Sequence, residues 1–177
     1  TMYFCARLNK EPDYVGTFVD QLTFPGQTST DTVHNGIYVI FKTQDQEAVE
    51  MQVGLSYTSI ENARLNLESE TASMDFDAVR KSASTTWNDW LSRIRVEGGL
   101  QSDKVKFYTG LYHALLGRGI ASDVNGQYKL HGQGIGQIPL NEQGKPRHPH
   151  FNTDGMWGGF WNLSQLWSLA YPDYYQD

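Results

Sequence analysis

The residues best equipped for chemistry crowd into one short stretch, Phe151-Asn152-Thr153-Asp154-Gly155-Met156-Trp157-Gly158-Gly159-Phe160-Trp161. It holds a carboxylate, Asp154, and two indoles, Trp157 and Trp161. Flat aromatic faces fill a core or form platforms for ring-shaped ligands such as sugars or bases, and an acid beside them can hydrogen-bond such a ligand. Gly158-Gly159 leaves an open surface next to Trp157, which favours ligand contact over a core role. Asp154 also stands where a helix N-cap would stand, and the two roles are partly compatible. Trp167, further along, reads as core.

Just upstream, His148-Pro149-His150 has a spacing that invites a metal. A pair of imidazoles with no third ligand is a weak site, and hard cations do not favour nitrogen. The pair therefore reads as loop structure, with His150 available for a hydrogen bond to a sugar. Asp123-Val124-Asn125-Gly126 resembles an EF-hand loop superficially, but its glycine is at position four rather than six, and Gly134 occupies the place of the bidentate glutamate. His113 lies beside an apolar helical stripe and is expected to be a satisfied core residue. Glu61, Glu68 and Glu70 read as a solvated helix face. No Ser/His/Asp constellation, phosphate loop or zinc pattern occurs. The single cysteine, Cys5, alternates with Tyr3 and Arg7 in a strand-like run and reads as an inert small residue.

Composition narrows the partners. The apolar fraction of 39% and the charged fraction of 19% suit a globular chain rather than a disordered one. A net charge of −6 with no basic stripe argues against nucleic acid. No apolar run approaches the roughly 20 residues that span a bilayer. Thr1-Met2-Tyr3-Phe4 has neither a basic nor an apolar leader character, so no signal peptide is expected at this start. Aromatic residues make up 13% of the chain, a surplus that either fills a bulky core or supplies platforms for ring-shaped ligands.

The elements that must position these residues fall into two regimes. Residues 1–57 read as β: runs at 3–8, 14–18, 37–41 and 49–57 are rich in β-branched and aromatic residues, with a Ser/Thr/Gly loop over 25–36. In the last run Val49, Met51, Val53, Leu55 and Tyr57 share one face, which predicts a half-buried antiparallel strand with that face inward. At Thr58 the period changes. Thr58-Ser59-Ile60-Glu61 is a capping box with Thr58 as cap, opening a helix toward Glu70. Phe76, Val79, Ala83, Trp87, Trp90, Leu91 and Ile94 form one stripe on a second helix, which Gly98-Gly99 ends. A third helix runs from about 103 to 116. Asn125-Gly126 signals a hairpin, residues 132–149 read as loop, and a last helix is expected from about 154 to 169. So few strands and helices close neither a sandwich nor a helical barrel, so the remainder of its own polypeptide is expected as a partner.

Four ordered segments carry a resemblance. Val53-Gly54-Leu55-Ser56-Tyr57-Thr58-Ser59-Ile60-Glu61-Asn62-Ala63-Arg64-Leu65-Asn66-Leu67-Glu68 closely resembles the junction between the β-domain and the helices of α-mannosidases of glycoside hydrolase family 92. Phe76-Asp77-Ala78-Val79 through Trp87 to Arg93-Ile94, Lys106-Phe107-Tyr108-Thr109-Gly110-Leu111-Tyr112-His113-Ala114-Leu115-Leu116, and Ser122-Asp123-Val124-Asn125-Gly126-Gln127-Tyr128 follow in the family's order. The resemblance implies a mixed fold: the end of an N-terminal antiparallel β-sandwich domain (1–57), linker helices (58–98), and the first helices of an (α/α)6 barrel (99–177).

It further implies an exo-acting, inverting, Ca²⁺-dependent α-mannosidase, α-1,2-mannosidase-like, acting on terminal α-mannosides of glycans. Secretion, or a periplasmic or cell-surface place in a bacterium, comes with it. Most calcium ligands, and the catalytic acid and base, are expected downstream of residue 177. Within this chain the implied substrate-binding residues are Asp154, Trp157, Trp161 and His150. Many relatives carry Thr-x-x-x-Trp-Asp-Thr at a helix start. Thr153 and Trp157 match that spacing, but Gly158 stands where the acid should be, and Asp154 stands four residues before it. A non-catalytic carbohydrate-binding relative, or an (α/α)6 glycosidase of another specificity, are the alternative readings.

Overall fold

The computed structural model describes residues 1–71, 75–116, 119–152 and 156–176. Its chain divides into two compact units, Ala6–Gln52 and, together, Thr1–Cys5 with Val53–Asp177. Antiparallel strands come first and helices follow, as expected from the sequence. Among the described residues no helix is long and apolar enough to cross a membrane.

The smaller unit is built on β2 (Tyr14–Val19), β3 (Leu22–Pro25) and β4 (Asn35–Ile40), an antiparallel sheet in the order β3-β2-β4. β3 falls partly in the stretch expected to be loop. Its register explains two glycines. Gly16 faces Tyr38 and Gly36 faces Phe18 across the β2/β4 ladder. A Cβ on Gly36 would come within 2.5 Å of the Phe18 ring, and one on Gly16 would strike the Tyr38 ring. Each aromatic thus covers the backbone of a cross-strand glycine, which restores packing that the glycine lacks. Beside the sheet, Lys10 Nζ donates to Glu47 Oε1 at 2.6 Å and to the Lys42 carbonyl at 2.7 Å. The Lys10 ammonium, with the Gln44 amide, holds the Glu47 carboxyl below its ordinary range.

β1 (Tyr3–Leu8) and β5 (Met51–Ser56) form a two-stranded ribbon. Here β5 departs from expectation. Met51, Val53, Leu55 and Tyr57 lie on the exposed face, whereas Gly54, Ser56 and Thr58 are buried. The small, polar face is inward because α1 (Ile60–Glu70) packs on it. A Cβ on Gly54 would strike the Ala63 carbonyl and approach Leu67 Cβ to 2.6 Å, so only glycine admits the helix this closely. The cap also shifts by one residue. Ser59, not Thr58, accepts the Asn62 amide (3.0 Å), because the Thr58 hydroxyl is engaged elsewhere. Helix α1 buries Asn62, Ala63, Asn66 and Leu67 and leaves Glu61, Glu68 and Glu70 exposed.

Helix α2 (Phe76–Leu91) is capped by Asp75, whose carboxylate accepts the Ala78 amide at 3.1 Å. Only the C-terminal half of its stripe is used. Trp87, Trp90, Leu91 and Ile94 pack on the core of Leu111, Leu115, Trp167 and Tyr171, while Phe76 and Val79 stay exposed. The helix ends well before Gly98-Gly99, and those glycines, at φ +77° and +66°, instead shape the connection to α3 (Gln101–Leu116). On α3 the apolar pair Leu111 and Leu115 faces the core, so His113, two residues on from Leu111, projects to solvent rather than into it.

A hairpin of β6 (Gln127–Lys129) and β7 (Ile135–Gln137) follows, the latter inside the stretch expected to be loop. A 3₁₀ turn at Met156–Gly158 precedes α4 (Leu163–Ala170) and α5 (Pro172–Gln176). The last helix thus begins later than periodicity suggests. Gly158-Gly159 is a poor helix former, and the Gly159 carbonyl accepts from the Ser164 amide at 3.0 Å to turn the chain into α4. Trp167 is 1% exposed and donates its indole N–H to the Ala114 carbonyl at 3.2 Å, the core role expected for it.

Candidate functional site

The densest polar chemistry lies where α1 meets the turn before β6. Asp123 is 5% exposed. Its Oδ2 accepts from Ser56 Oγ (3.0 Å), Asn62 Nδ2 (3.1 Å) and the Thr58 hydroxyl, and its Oδ1 from Asn66 Nδ2 (2.8 Å). Asn125 Nδ2 returns a bond to Asn62 Oδ1 at 2.9 Å, and Asn62 Nδ2 reaches Gln127 Oε1 at 2.6 Å. The turn itself closes through the Gly126 amide on the Asp123 carbonyl (2.8 Å), with Gly126 at φ +84°. A buried carboxylate offsets its desolvation only when its lone pairs are filled, and here both oxygens are filled by side-chain donors. This is a clasp between helix and hairpin, not a general base.

The same arrangement tests the expected calcium. A calcium ion needs six to eight oxygen ligands. Among the described residues no three His, Cys, Asp or Glu side chains converge on one point, and Asp123 already has its donors. These residues do not fit the ion.

A groove of about 620 Å³ in the larger unit has room for a ligand and contains one of the residues singled out from sequence. Tyr57, at the end of β5, lines it together with Tyr128, Lys129, His131, His150 and Asn152. Its frame is backbone. The Ala121 amide donates to the His150 carbonyl at 2.7 Å and the Asn152 amide to the Gly119 carbonyl at 2.8 Å, bracketing an antiparallel bridge between Ile120 and Phe151. A second bridge joins Ser122 to Tyr128, and the Ser122 hydroxyl accepts the His150 amide at 3.0 Å. On this frame the His150 ring stacks on Tyr128, centroids 4.2 Å apart and planes 29° apart. Tyr128 in turn covers Gly136, its partner in the β6/β7 ladder, where a Cβ would meet the ring. An aromatic wall beside amide, amine and imidazole groups is a surface that can stack on an apolar ring face and bond its substituents.

The residues singled out from sequence divide between places. His150 is in the groove. Trp157, 84% exposed on the 3₁₀ turn, and Trp161, 72% exposed and stacked on Phe160 at 4.8 Å, do not line it. Thr153 and Asp154 lie outside the described residues. Tyr57, Tyr128, Lys129, His131 and Asn152 were not singled out as site residues. The signal for Tyr128 was present, since the Asn125-Gly126 turn fixes which face of the following strand it occupies.

A model of the glycosyl hydrolase family 92 catalytic domain matches residues 62–177. No curated protein matches the chain. Several solved structures do. The family GH92 inverting mannosidase of Bacteroides thetaiotaomicron superposes with a TM-score of 0.85 at 22% identity, covering 98% of this chain and 23% of that one. The GH92 glycosyl hydrolase ccman5 gives 0.81 at 23% identity, covering 99% of this chain and 22% of that one. A GH92 α-mannosidase of Bacteroides thetaiotaomicron in complex with mannoimidazole gives 0.75 at 19% identity, covering 94% of this chain and 22% of that one. At such identities the likeness is one of fold. The chain spans less than a quarter of the length of these structures.

Proposed function

The chain belongs to glycosyl hydrolase family 92, and on that footing we propose that it is part of an exo-acting, inverting, calcium-dependent α-mannosidase, α-1,2-mannosidase-like, that hydrolyses terminal α-mannosides of glycans. The observation that carries this reading is the family match over residues 62–177, which is a match to a catalytic domain rather than to an accessory one. Two similar structures are named as mannosidases, one of them inverting, which supports the reaction class. Inversion requires a carboxylic acid and a carboxylate roughly 6.5–9.5 Å apart with a water between them. Asp123 is committed to its clasp. In this reading the acid, the base and the calcium ligands are supplied by other parts of the polypeptide, and residues 1–177 by themselves release no mannose. Glycans outside a bacterial cell are the proposed substrates, with the protein secreted, periplasmic or at the cell surface.

Mannose release from α-mannosides by the intact polypeptide, with calcium and with a chelator, tests the proposal. Release that the chelator abolishes and calcium restores is the expected result. No attack on any α-mannoside, with cleavage of another glycosidic linkage, would overturn it, and binding of mannosides without release would indicate a carbohydrate-binding relative.

A further inference from the structure

The clasp on Asp123 and the groove around Tyr57 share a framework. Ser56 and Thr58 flank Tyr57 in sequence, and both hydroxyls donate to Asp123 Oδ2, that of Ser56 at 3.0 Å. Alternation sends the ring between them the other way, so Tyr57 is about half exposed and lines the groove while Ser56 and Thr58 are buried. On the other side of the carboxylate, the Asp123 amide donates to the Gln127 carbonyl at 2.8 Å, and Ser122 bridges to Tyr128. Asn62 Nδ2 reaches both Asp123 Oδ2 and Gln127 Oε1, which ties the start of β6 to the same anchor. Tyr128 stacks on His150, and both rings line the groove. Two aromatic walls from distant segments, Tyr57 and the Tyr128–His150 stack, therefore hang on one residue. Asp123 itself, with Ser56, Thr58, Asn62 and Asn66, lies behind the lining.

We propose that Asp123 is a positioning residue for this groove: its carboxylate sets the spacing between Tyr57 and the Tyr128–His150 stack, and through them the fit of the glycan. This role rests on the mannoside-directed reading above and assigns to it a residue that never touches the sugar. A buried carboxylate suits the task because it accepts several donors at once and holds them at short range. Binding groups keep a productive geometry only when the shell behind them is locked.

Steady-state hydrolysis of an α-mannoside by the intact polypeptide, well below its Tm, provides the first test. Asp123→Ala should raise KM about tenfold, the order of one misplaced aromatic contact, with kcat held within about twofold. In a Tyr57→Ala background the same substitution should raise KM only about threefold, because one of the two walls it acts through is gone. Asp75→Ala is the stability control: it removes the cap of α2 and lowers the Tm, and should leave KM unchanged. Thr58→Val serves where Asp123→Ala does not fold; it should raise KM, whereas Thr58→Ser, which keeps the hydroxyl, should retain the wild-type value. An unmoved KM, a loss in kcat alone, or a full tenfold rise in the Tyr57→Ala background would overturn the proposal. Crystal structures of the intact wild type and of Asp123→Ala or Thr58→Val give a second readout that needs no substrate. The separation of the Tyr57 and Tyr128 rings should change by about 1 Å, and walls that stay in place would also overturn it. A wild type that attacks no α-mannoside defeats the mannosidase reading, and the ring separation then decides the role of Asp123 by itself.

Discussion

Asn66 grips Asp123 and its neighbour with one side chain. Its Nδ2 donates to Asp123 Oδ1 at 2.8 Å, and its Oδ1 accepts the Val124 amide at 3.0 Å. The same Nδ2 reaches the Leu55 carbonyl at 2.7 Å. One amide therefore ties helix α1 to strand β5 and to the turn before β6. Removing it leaves a buried carboxylate, an amide and a carbonyl short of partners. Asn66→Ala and Asp123→Ala are each expected to cost about 1–3 kcal/mol, with a coupling of similar size between them. Urea denaturation of the two single variants and the double variant measures this, and additive losses would show that the clasp is not a unit.

Asp123→Asn is the finer probe. It keeps the shape and replaces an acceptor oxygen with an amine that faces donors from Ser56, Thr58 and Asn62. A loss of about 2 kcal/mol is expected in the same assay, against a near-neutral change for the exposed Asp89→Asn on α2.

Gly54→Ala adds a single methyl against the Ala63 carbonyl and Leu67 Cβ, which a Cβ would approach to 2.6 Å. Backbone lies in the way, so α1 must back off the strand. The expected cost is about 1–3 kcal/mol, read as a lower Tm, whereas Gly110→Ala, where a Cβ meets nothing within 4 Å, should leave the Tm unchanged or raise it.

These residues also show how much was legible in advance. Periodicity located the switch from strand to helix at Thr58, because period two and period 3.6 are both properties of local sequence. It assigned the wrong face of β5 to the interior. Alternation separates two faces but cannot say which is covered, and here a glycine and two hydroxyls face the helix because a buried carboxylate, 65 residues away for Thr58, needs them. His113 failed for the same reason: a neighbouring stripe says nothing about the width of the covered face. The groove was invisible in part because its walls come from separated segments, around residues 57, 120, 130 and 150, that only the bridges bring together. The Asn125-Gly126 turn marks the strand that carries Tyr128, and His150 is legible as a polar residue near aromatics, but their stacking across 22 residues is not a local property of the sequence.

Tyr171 gives an alkaline signature. It is enclosed in the core, its hydroxyl donates to the Trp90 carbonyl at 3.1 Å, and its ring stacks on Trp90 at 5.5 Å. Burial raises its pKa above the ordinary value of 10.0, opposed in part by the Arg93 guanidinium poised 5.3 Å from the ring. The folded state holds the phenol neutral while the unfolded state can ionise it. Its contribution is therefore complete below pH 10 and is lost as pH rises through the folded value. Thermal melts should show a fall in Tm above pH 10 that is shallower in Tyr171→Phe, which in turn gives up about 1 kcal/mol at neutral pH with its hydrogen bond.

Trp157 separates ligand contact from packing. Its indole is 84% exposed on a one-turn 3₁₀ segment, so nothing in these residues depends on it for burial. If it stacks on a sugar, Trp157→Ala in the intact polypeptide should raise KM for an α-mannoside about tenfold, the order of one lost aromatic contact, with Tm unchanged. Trp167→Ala is the contrast, since that side chain is 1% exposed and its loss should cost about 3–5 kcal/mol. A Tm drop for Trp157→Ala approaching that of Trp167→Ala, with KM unmoved, would assign Trp157 to packing. Its exposed indole would then serve a protein neighbour instead of a sugar.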